Sequence, residues 1–84
     1  MNWQIVWSSP ARRDMTRLDR PIAARIHEAM HKLAETGHGD VKPLQGLNEY
    51  RLRVGQWRVR FTYDTPEAVI KVVRVLPRGE AYRR

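Results

Sequence analysis

The stretch that decides the fold reads Tyr50-Arg51-Leu52-Arg53-Val54-Gly55-Gln56-Trp57-Arg58-Val59-Arg60-Phe61. Apolar residues and arginines alternate on both sides of Gly55-Gln56, and this period of two predicts two strands. Glycine at the first position of a two-residue link favours a type II′ hairpin turn. With that turn, Arg53 faces Arg58 and Arg51 faces Arg60. The sequence therefore predicts a hairpin with one apolar face and one face of four guanidinium groups.

The segment before the hairpin predicts a strand and two helices. Residues 3–7 alternate like an opening strand, and Ser9-Pro10 is typical of a helix cap followed by proline, with the helix running to about Leu18. Pro21 begins a second helix, whose apolar residues recur at helical spacing until Gly37 and Gly39 end it. We interpret residues 38–46 as a loop.

The segment after the hairpin predicts one more strand, over about Ala68 to Leu76. It is apolar on both faces, which is typical of a strand inside a sheet. The fold class is therefore α+β in the order β-α-α-β-β-β, with two N-terminal helices packed on a small, mainly antiparallel, twisted sheet. At 84 residues, the chain fits a single domain over residues 1–84.

Composition narrows the partners and the compartment. Lysine and arginine number 16 against 9 aspartates and glutamates, a net charge of +7, and such an excess attracts polyanions. The chain has no cysteine and no run of about 20 apolar residues. We expect a soluble cytoplasmic protein that does not associate with membranes.

The arginine face predicts a phosphate ligand. Like charges directly opposite each other on a sheet are destabilising, and an anionic partner reverses the sign of that energy. Arginine also grips a phosphate through two bonds. After the last strand come Arg78 and Tyr82, and a tyrosine beside arginines can stack on a base or hydrogen-bond a phosphate. The alternatives are a solvated arginine face and an unordered basic tail.

A competing motif lies on the second helix. His27-Glu28-Ala29-Met30-His31 fits H-E-x-x-H, in which two histidines bind zinc and glutamate activates water. No third ligand is evident, because the extended pattern needs glycine and histidine where Ala34 and Gly37 stand. We interpret both histidines as surface residues of the helix and expect no metal or other cofactor.

Two stretches of this chain resemble the RelE family of toxins in the RelE/ParE superfamily of type II toxin–antitoxin systems. They are residues 42–61, which contain the Leu44-Gln45-Gly46-Leu47 loop and the basic hairpin, and residues 75–82, which run from Val75 to Tyr82. The order of elements also matches over nearly the whole chain.

The resemblance implies a metal-independent endoribonuclease that cleaves mRNA. Many members of the family cleave mRNA only when it lies in the ribosomal A site. The family's catalytic residues fall on Arg53, Arg58, Arg78 and Tyr82, and within the family the spacing from the terminal arginine to the tyrosine varies. We expect RNA binding by Arg51, Arg60, Arg74 and Arg83. The resemblance also implies a cognate antitoxin, in an oligomeric complex that binds DNA through the antitoxin.

Two other functions stay open. ParE-like relatives share the fold but resemble inhibitors of DNA gyrase that act by binding and not by RNA cleavage. The arginine and tyrosine after the last strand favour the nuclease, because that branch tends to lack them. An inactive nucleic-acid-binding remnant is the third possibility.

Overall fold

A computed structural model describes residues 2–46 and 48–80 of the chain. These residues form two helices and five strands: β1 (Gln4–Trp7), α1 (Ser9–Thr16), α2 (Arg20–Thr36), β2 (Val41–Pro43), β3 (Tyr50–Val54), β4 (Trp57–Asp64) and β5 (Val69–Pro77). The sheet order is β1-β5-β4-β3-β2. Strand β1 runs parallel to β5, and the other three pairings are antiparallel. The predicted α+β class and the interior position of the last strand are confirmed.

The β3–β4 hairpin has the predicted register. Arg53 pairs with Arg58, Arg51 with Arg60, and the apolar residues pair with each other. Gly55 has a φ of 59°, whereas the next residue does not have a positive φ. Positive φ at the first turn position alone is the geometry of a type II′ turn, and glycine adopts it without steric cost.

The core lies between α2 and one face of the sheet. The buried residues of α2 are Ile26, Met30, Leu33 and Ala34. They face buried residues of the three longest strands: Leu52, Val59, Phe61, Ile70, Val72 and Val75. This matches the predicted apolar stripe of the helix and the apolar face of the hairpin. Neither described helix is long and apolar enough to cross a membrane.

Helix α1 starts differently from the prediction. Its N-cap is Ser8, whose hydroxyl accepts a hydrogen bond from the Ala11 amide, so Ser9 is the first helical residue and not the cap. The Ser8 hydroxyl also donates to the Val73 carbonyl at 2.8 Å. Because β1 pairs with residues 69–72 of β5, this second bond anchors α1 beside the rest of that strand, along the edge that β1 does not cover.

Strand β2 was not predicted. The sequence predicts a loop over residues 38–46, but Val41–Pro43 pair antiparallel with β3, with Val41 opposite Leu52. Three residues are too few for a period of two to be recognised, and the proline at the end is compatible with an edge strand only. Gly37 alone forms the C-cap of α2, in the left-handed region with a φ of 77°.

Candidate nucleic-acid interface

The sheet register brings the strand arginines to one face. Residues that pair directly across strands point to the same side, so Arg51, Arg53, Arg58 and Arg60 share the side opposite to the buried Leu52 and Val59. Arg74 of β5 pairs with Arg60 and joins them. Strand alternation thus assembles a five-arginine face away from α2.

Two of these arginines form close ion pairs with carboxylates of the same chain. Arg60 donates through Nε to Glu49 at 2.8 Å, and its Nη2 lies 2.6 Å from the same oxygen. Arg51, which is buried, donates through Nη1 to the carbonyl and to the carboxylate of Asp40, at 2.7 and 3.2 Å. The charges of these two guanidinium groups are therefore largely compensated within the protein.

Arg74 makes the third pair, a two-bond contact with Asp14 of α1 at 2.7 and 3.0 Å. The same carboxylate accepts a hydrogen bond from the Val75 amide at 2.9 Å. Burial alone would raise the pKa of Asp14. The bonds from Arg74 and Val75 and the charges of Arg74 and Arg17 outweigh that effect, and the pKa lies below its ordinary value.

Arg58 is bound differently. It is buried, and its Nη1 donates to the carbonyls of Gly55 and Trp57, each at 2.9 Å. Within residues 2–46 and 48–80 it pairs with no carboxylate. None of the hydrogen bonds among the described residues uses Nε or Nη2 of Arg58. These two nitrogens are donors that an anion could use.

Two further cations lie at the hairpin turn with little or no compensation. The side chain of Arg53 is 58% exposed and reaches Asp40 only at 3.8 Å. Arg78 is exposed and has no carboxylate partner among the described residues. Its amide donates to the Gln56 carbonyl at 2.9 Å, which holds the chain after β5 against the turn. The structure thus brings Arg53, Arg58 and Arg78 to one end of the hairpin.

Tyr82 and Arg83 lie outside the described residues. The predicted catalytic role of the tyrosine and the predicted RNA contact of Arg83 therefore stay predictions. Both residues follow within five positions of Arg78, whose backbone is fixed at the turn.

The carboxylates on this face were not identified from the sequence. The sequence predicts that an anionic partner offsets the repulsion between opposed arginines, but Asp40, Glu49 and Asp14 supply part of that negative charge from within the chain. Glu49 could have been found, because it continues the alternation of Arg51 and Arg53 and so belongs to the same face. Asp40 could not, because its position depends on β2.

The two histidines of the competing motif lie on the exposed side of α2, as predicted. The His27 ring packs against Trp7, with the ring centres 5.1 Å apart. Among residues 2–46 and 48–80, no three histidine, aspartate or glutamate side chains form a group that could hold a metal ion.

A groove lies at the other end of the sheet. Its volume is about 660 Å³, and Trp3, Tyr50 and Tyr63 provide its aromatic wall. Burial, and to a smaller extent the neighbouring Tyr50, raise the pKa of Tyr63. The groove has no charged residue in its lining and is separate from the arginine face.

A family model described as "ParE toxin of type II toxin–antitoxin system" matches residues 5–82. The chain belongs to the ParE toxin family. The predicted membership of the RelE/ParE superfamily is thereby confirmed, and this ParE-family chain is a toxin of a type II toxin–antitoxin system. Among proteins of curated function, none matches its sequence significantly.

Solved structures of the superfamily share the fold of this ParE-family toxin. The RelBE2 toxin–antitoxin complex from Mycobacterium tuberculosis contains a chain with 23% identity and a TM-score of 0.84, and the similarity covers 95% of each chain. The archaeal RelE–RelB complex from Pyrococcus horikoshii gives 25% identity and 0.80, covering 96% of this chain and 100% of the other. A YoeB/ParE toxin from Agrobacterium tumefaciens gives 17% and 0.74, covering 88% and 96%.

Proposed function

We propose that this toxin is an endoribonuclease that cleaves mRNA on the ribosome and so inhibits translation in the cytoplasm. The observation that carries the proposal is the convergence of Arg53, Arg58 and Arg78 at the hairpin turn with little carboxylate compensation. Three such cations on adjacent elements form a site for a phosphodiester.

The proposed cleavage uses only the arginines at the hairpin turn and Tyr82. The ribose 2′-oxygen forms a bond to phosphorus as the bond from phosphorus to the 5′-oxygen breaks, and negative charge builds on the other phosphate oxygens. We propose that Arg58 and Arg78 stabilise that charge, because arginine stays protonated at any working pH. Arg53 holds the adjacent backbone. The reaction proposed here is metal-independent.

Two protons must also move. The 2′-hydroxyl loses one, and the leaving 5′-oxygen gains one. We propose Tyr82 for this transfer or for stacking of the target base. An ordinary tyrosine, with a pKa near 10, is a poor base at neutral pH, so the nearby arginines would have to lower that pKa.

The remaining arginines of the face have smaller proposed roles. Arg51, Arg60 and Arg74 already bind carboxylates, so we propose that they add to the field that attracts RNA and contribute fewer direct phosphate contacts. Arg83 stays a proposed RNA contact beyond the described residues.

We further propose that a cognate antitoxin restrains this toxin. The crystallised relatives RelBE2 and archaeal RelE–RelB are complexes of a toxin with its antitoxin. A partner segment that covers the arginine face must be acidic or amphipathic. The complex as a whole is proposed to be oligomeric and to bind DNA through the antitoxin.

The test is to map mRNA 5′ ends in a translating extract that contains the purified toxin. We expect codon-phased cuts, and we expect Arg58→Ala to lower the cleavage rate by about 10²-fold or more, as removal of a transition-state donor does. Arg78→Ala serves as a second variant, because this exposed residue can be replaced without altering the core. Arg12→Ala, an exposed arginine of α1, is the matched control.

The second candidate is inhibition of DNA gyrase by binding, because the family model that matches this chain is that of ParE toxins and ParE-like proteins resemble gyrase inhibitors. A supercoiling assay with purified gyrase separates the two functions. Loss of supercoiling while mRNA stays intact would overturn the nuclease proposal in favour of this one.

A further inference from the structure

Charge compensation along the hairpin is uneven. Away from the turn, Arg51 and Arg60 each bind a carboxylate at 3.2 Å or less. At the turn, Arg58 and Arg78 bind none among the described residues. Positive charge is therefore concentrated at the hairpin turn.

A further arginine reaches the same turn from the helical side. A β-carbon placed on Gly55 would lie 3.6 Å from Nη2 of Arg25, so this exposed guanidinium of α2 lies over the glycine. On the other side of the turn, Arg58 donates to the carbonyl of that same residue. Two guanidinium groups thus flank Gly55, and within residues 2–46 and 48–80 neither pairs with a carboxylate.

A small cleft opens beside Arg25. Its volume is about 150 Å³, and its lining is Ile22, Arg25, Val54, Gly55, Gln56 and Trp57. The half-buried indole of Trp57 provides an aromatic surface, and the arginine is the one charged group in the lining. No acidic residue lines this cleft.

We propose that this cleft binds one unpaired nucleotide of an RNA strand, with its base against Trp57 and its phosphate on Arg25. Proteins that bind single strands combine an aromatic platform for the base with a cation for the backbone, and a cleft of this size takes a group no larger than one base. The inference rests on the proposed function, because the strand would continue around Gly55 to the phosphate held by Arg58.

The chemistry of the cleft favours RNA over an acidic peptide of a partner protein. A peptide segment needs a longer apolar groove to bury its anchoring side chains. Here one aromatic ring and one cation are adjacent, and the second cation on the far side of Gly55 is placed for a neighbouring phosphate. Two consecutive phosphates with one stacked base account for all three groups.

The experiment measures binding of a fluorescein-labelled 2′-O-methyl RNA hexanucleotide, which cannot be cleaved, by fluorescence anisotropy. Arg25→Gln should weaken binding several-fold and reduce the slope of log affinity against log salt by about 0.7, the value for one phosphate contact on a single strand. Trp57→Ala should weaken binding about tenfold with little change in the slope. Trp57→Phe keeps an aromatic ring and should recover most of the affinity.

The matched control is Arg12→Gln, which should leave both affinity and slope unchanged. Unchanged hexanucleotide binding by Arg25→Gln would overturn the inference. So would the finding that Arg25→Gln or Trp57→Ala weakens binding of the antitoxin but not of the hexanucleotide. mRNA cleavage is measured separately. If the wild-type toxin does not cleave mRNA but Arg25→Gln still weakens hexanucleotide binding, the proposed function is wrong and the nucleotide site stands.

Discussion

At the scale of single residues, Asp14 joins two parts of the chain that are 60 positions apart. Its carboxylate binds Arg74 through two hydrogen bonds and also accepts the Val75 amide. An amide on the unpaired edge of β5 is satisfied by a side chain in place of a neighbouring strand. Burial raises the pKa of Asp14. The hydrogen bonds from Arg74 and Val75 and the charges of Arg74 and Arg17 lower it by more, so the pKa lies below its ordinary value.

Asp14→Asn should lower the free energy of unfolding by about 2 kcal/mol near neutral pH, because hydrogen bonds to a charged group are lost. A depressed pKa stabilises the fold fully above the unfolded-state value of 3.8, and this stabilisation is lost as pH falls through the lower folded-state value. The difference between variant and wild type should therefore shrink in acid. Urea denaturation at a series of pH values measures it.

The control for this prediction is Asp19→Asn. Asp19 is exposed and makes no side-chain hydrogen bond at the start of α2, so its replacement should change stability by less than about 0.5 kcal/mol. A constant difference between Asp14→Asn and wild type from neutral to acidic pH would contradict the linkage argument.

At the scale of the element, α1 takes the place of a strand. Strand β1 covers only the first half of β5, and the side chains of Ser8 and Asp14 then bind the Val73 carbonyl and the Val75 amide. Pro77 has no amide to leave unpaired on that edge. The edge of an interior strand is thereby protected from pairing with another chain.

Ser8→Ala should destabilise the toxin by about 1 to 2 kcal/mol, because the helix loses its cap and the Val73 carbonyl loses its donor. Ser9→Ala is the matched control. Ser9 is exposed and begins the helix, so we expect a change within about 0.5 kcal/mol. Thermal unfolding followed by circular dichroism compares the two, and equal effects would show that Ser8 is not the cap.

At the scale of the whole molecule, the net charge of +7 is distributed unequally. Intramolecular acids compensate Arg51, Arg60 and Arg74, whereas the arginines at the hairpin turn are compensated weakly or not at all among the described residues. The positive charge of a paired arginine is already partly neutralised, so it attracts a phosphate less strongly than an unpaired arginine does. The binding strength of the face should therefore differ from residue to residue.

Arg53→Gln should weaken binding of the uncleavable hexanucleotide and lower its salt slope by about 0.7. Arg60→Gln should change the slope much less, because Glu49 already compensates that guanidinium. Anisotropy titrations at several salt concentrations measure both variants. Equal slopes for Arg53→Gln and the wild type would remove Arg53 from the proposed site.

The sequence by itself determined the hairpin, its register, the face on which its arginines lie and the apolar stripe of α2. These features follow from local rules: a period of two, a period of 3.6 and a turn that requires glycine. Superfamily membership also followed from residues adjacent along the chain. The sequence predicted the ends of the helices less accurately than the elements themselves, because the cap of α1 is Ser8 and not Ser9.

Only the tertiary structure decided which arginines are compensated. Asp14 and Arg74 are distant in sequence, Asp40 reaches the hairpin through a three-residue strand with no periodicity, and Arg25 comes from a helix on the other side of the sheet. Contacts between separate elements depend on how those elements pack, which no local pattern contains. The charge of the face could be read from the sequence, but its distribution required the fold.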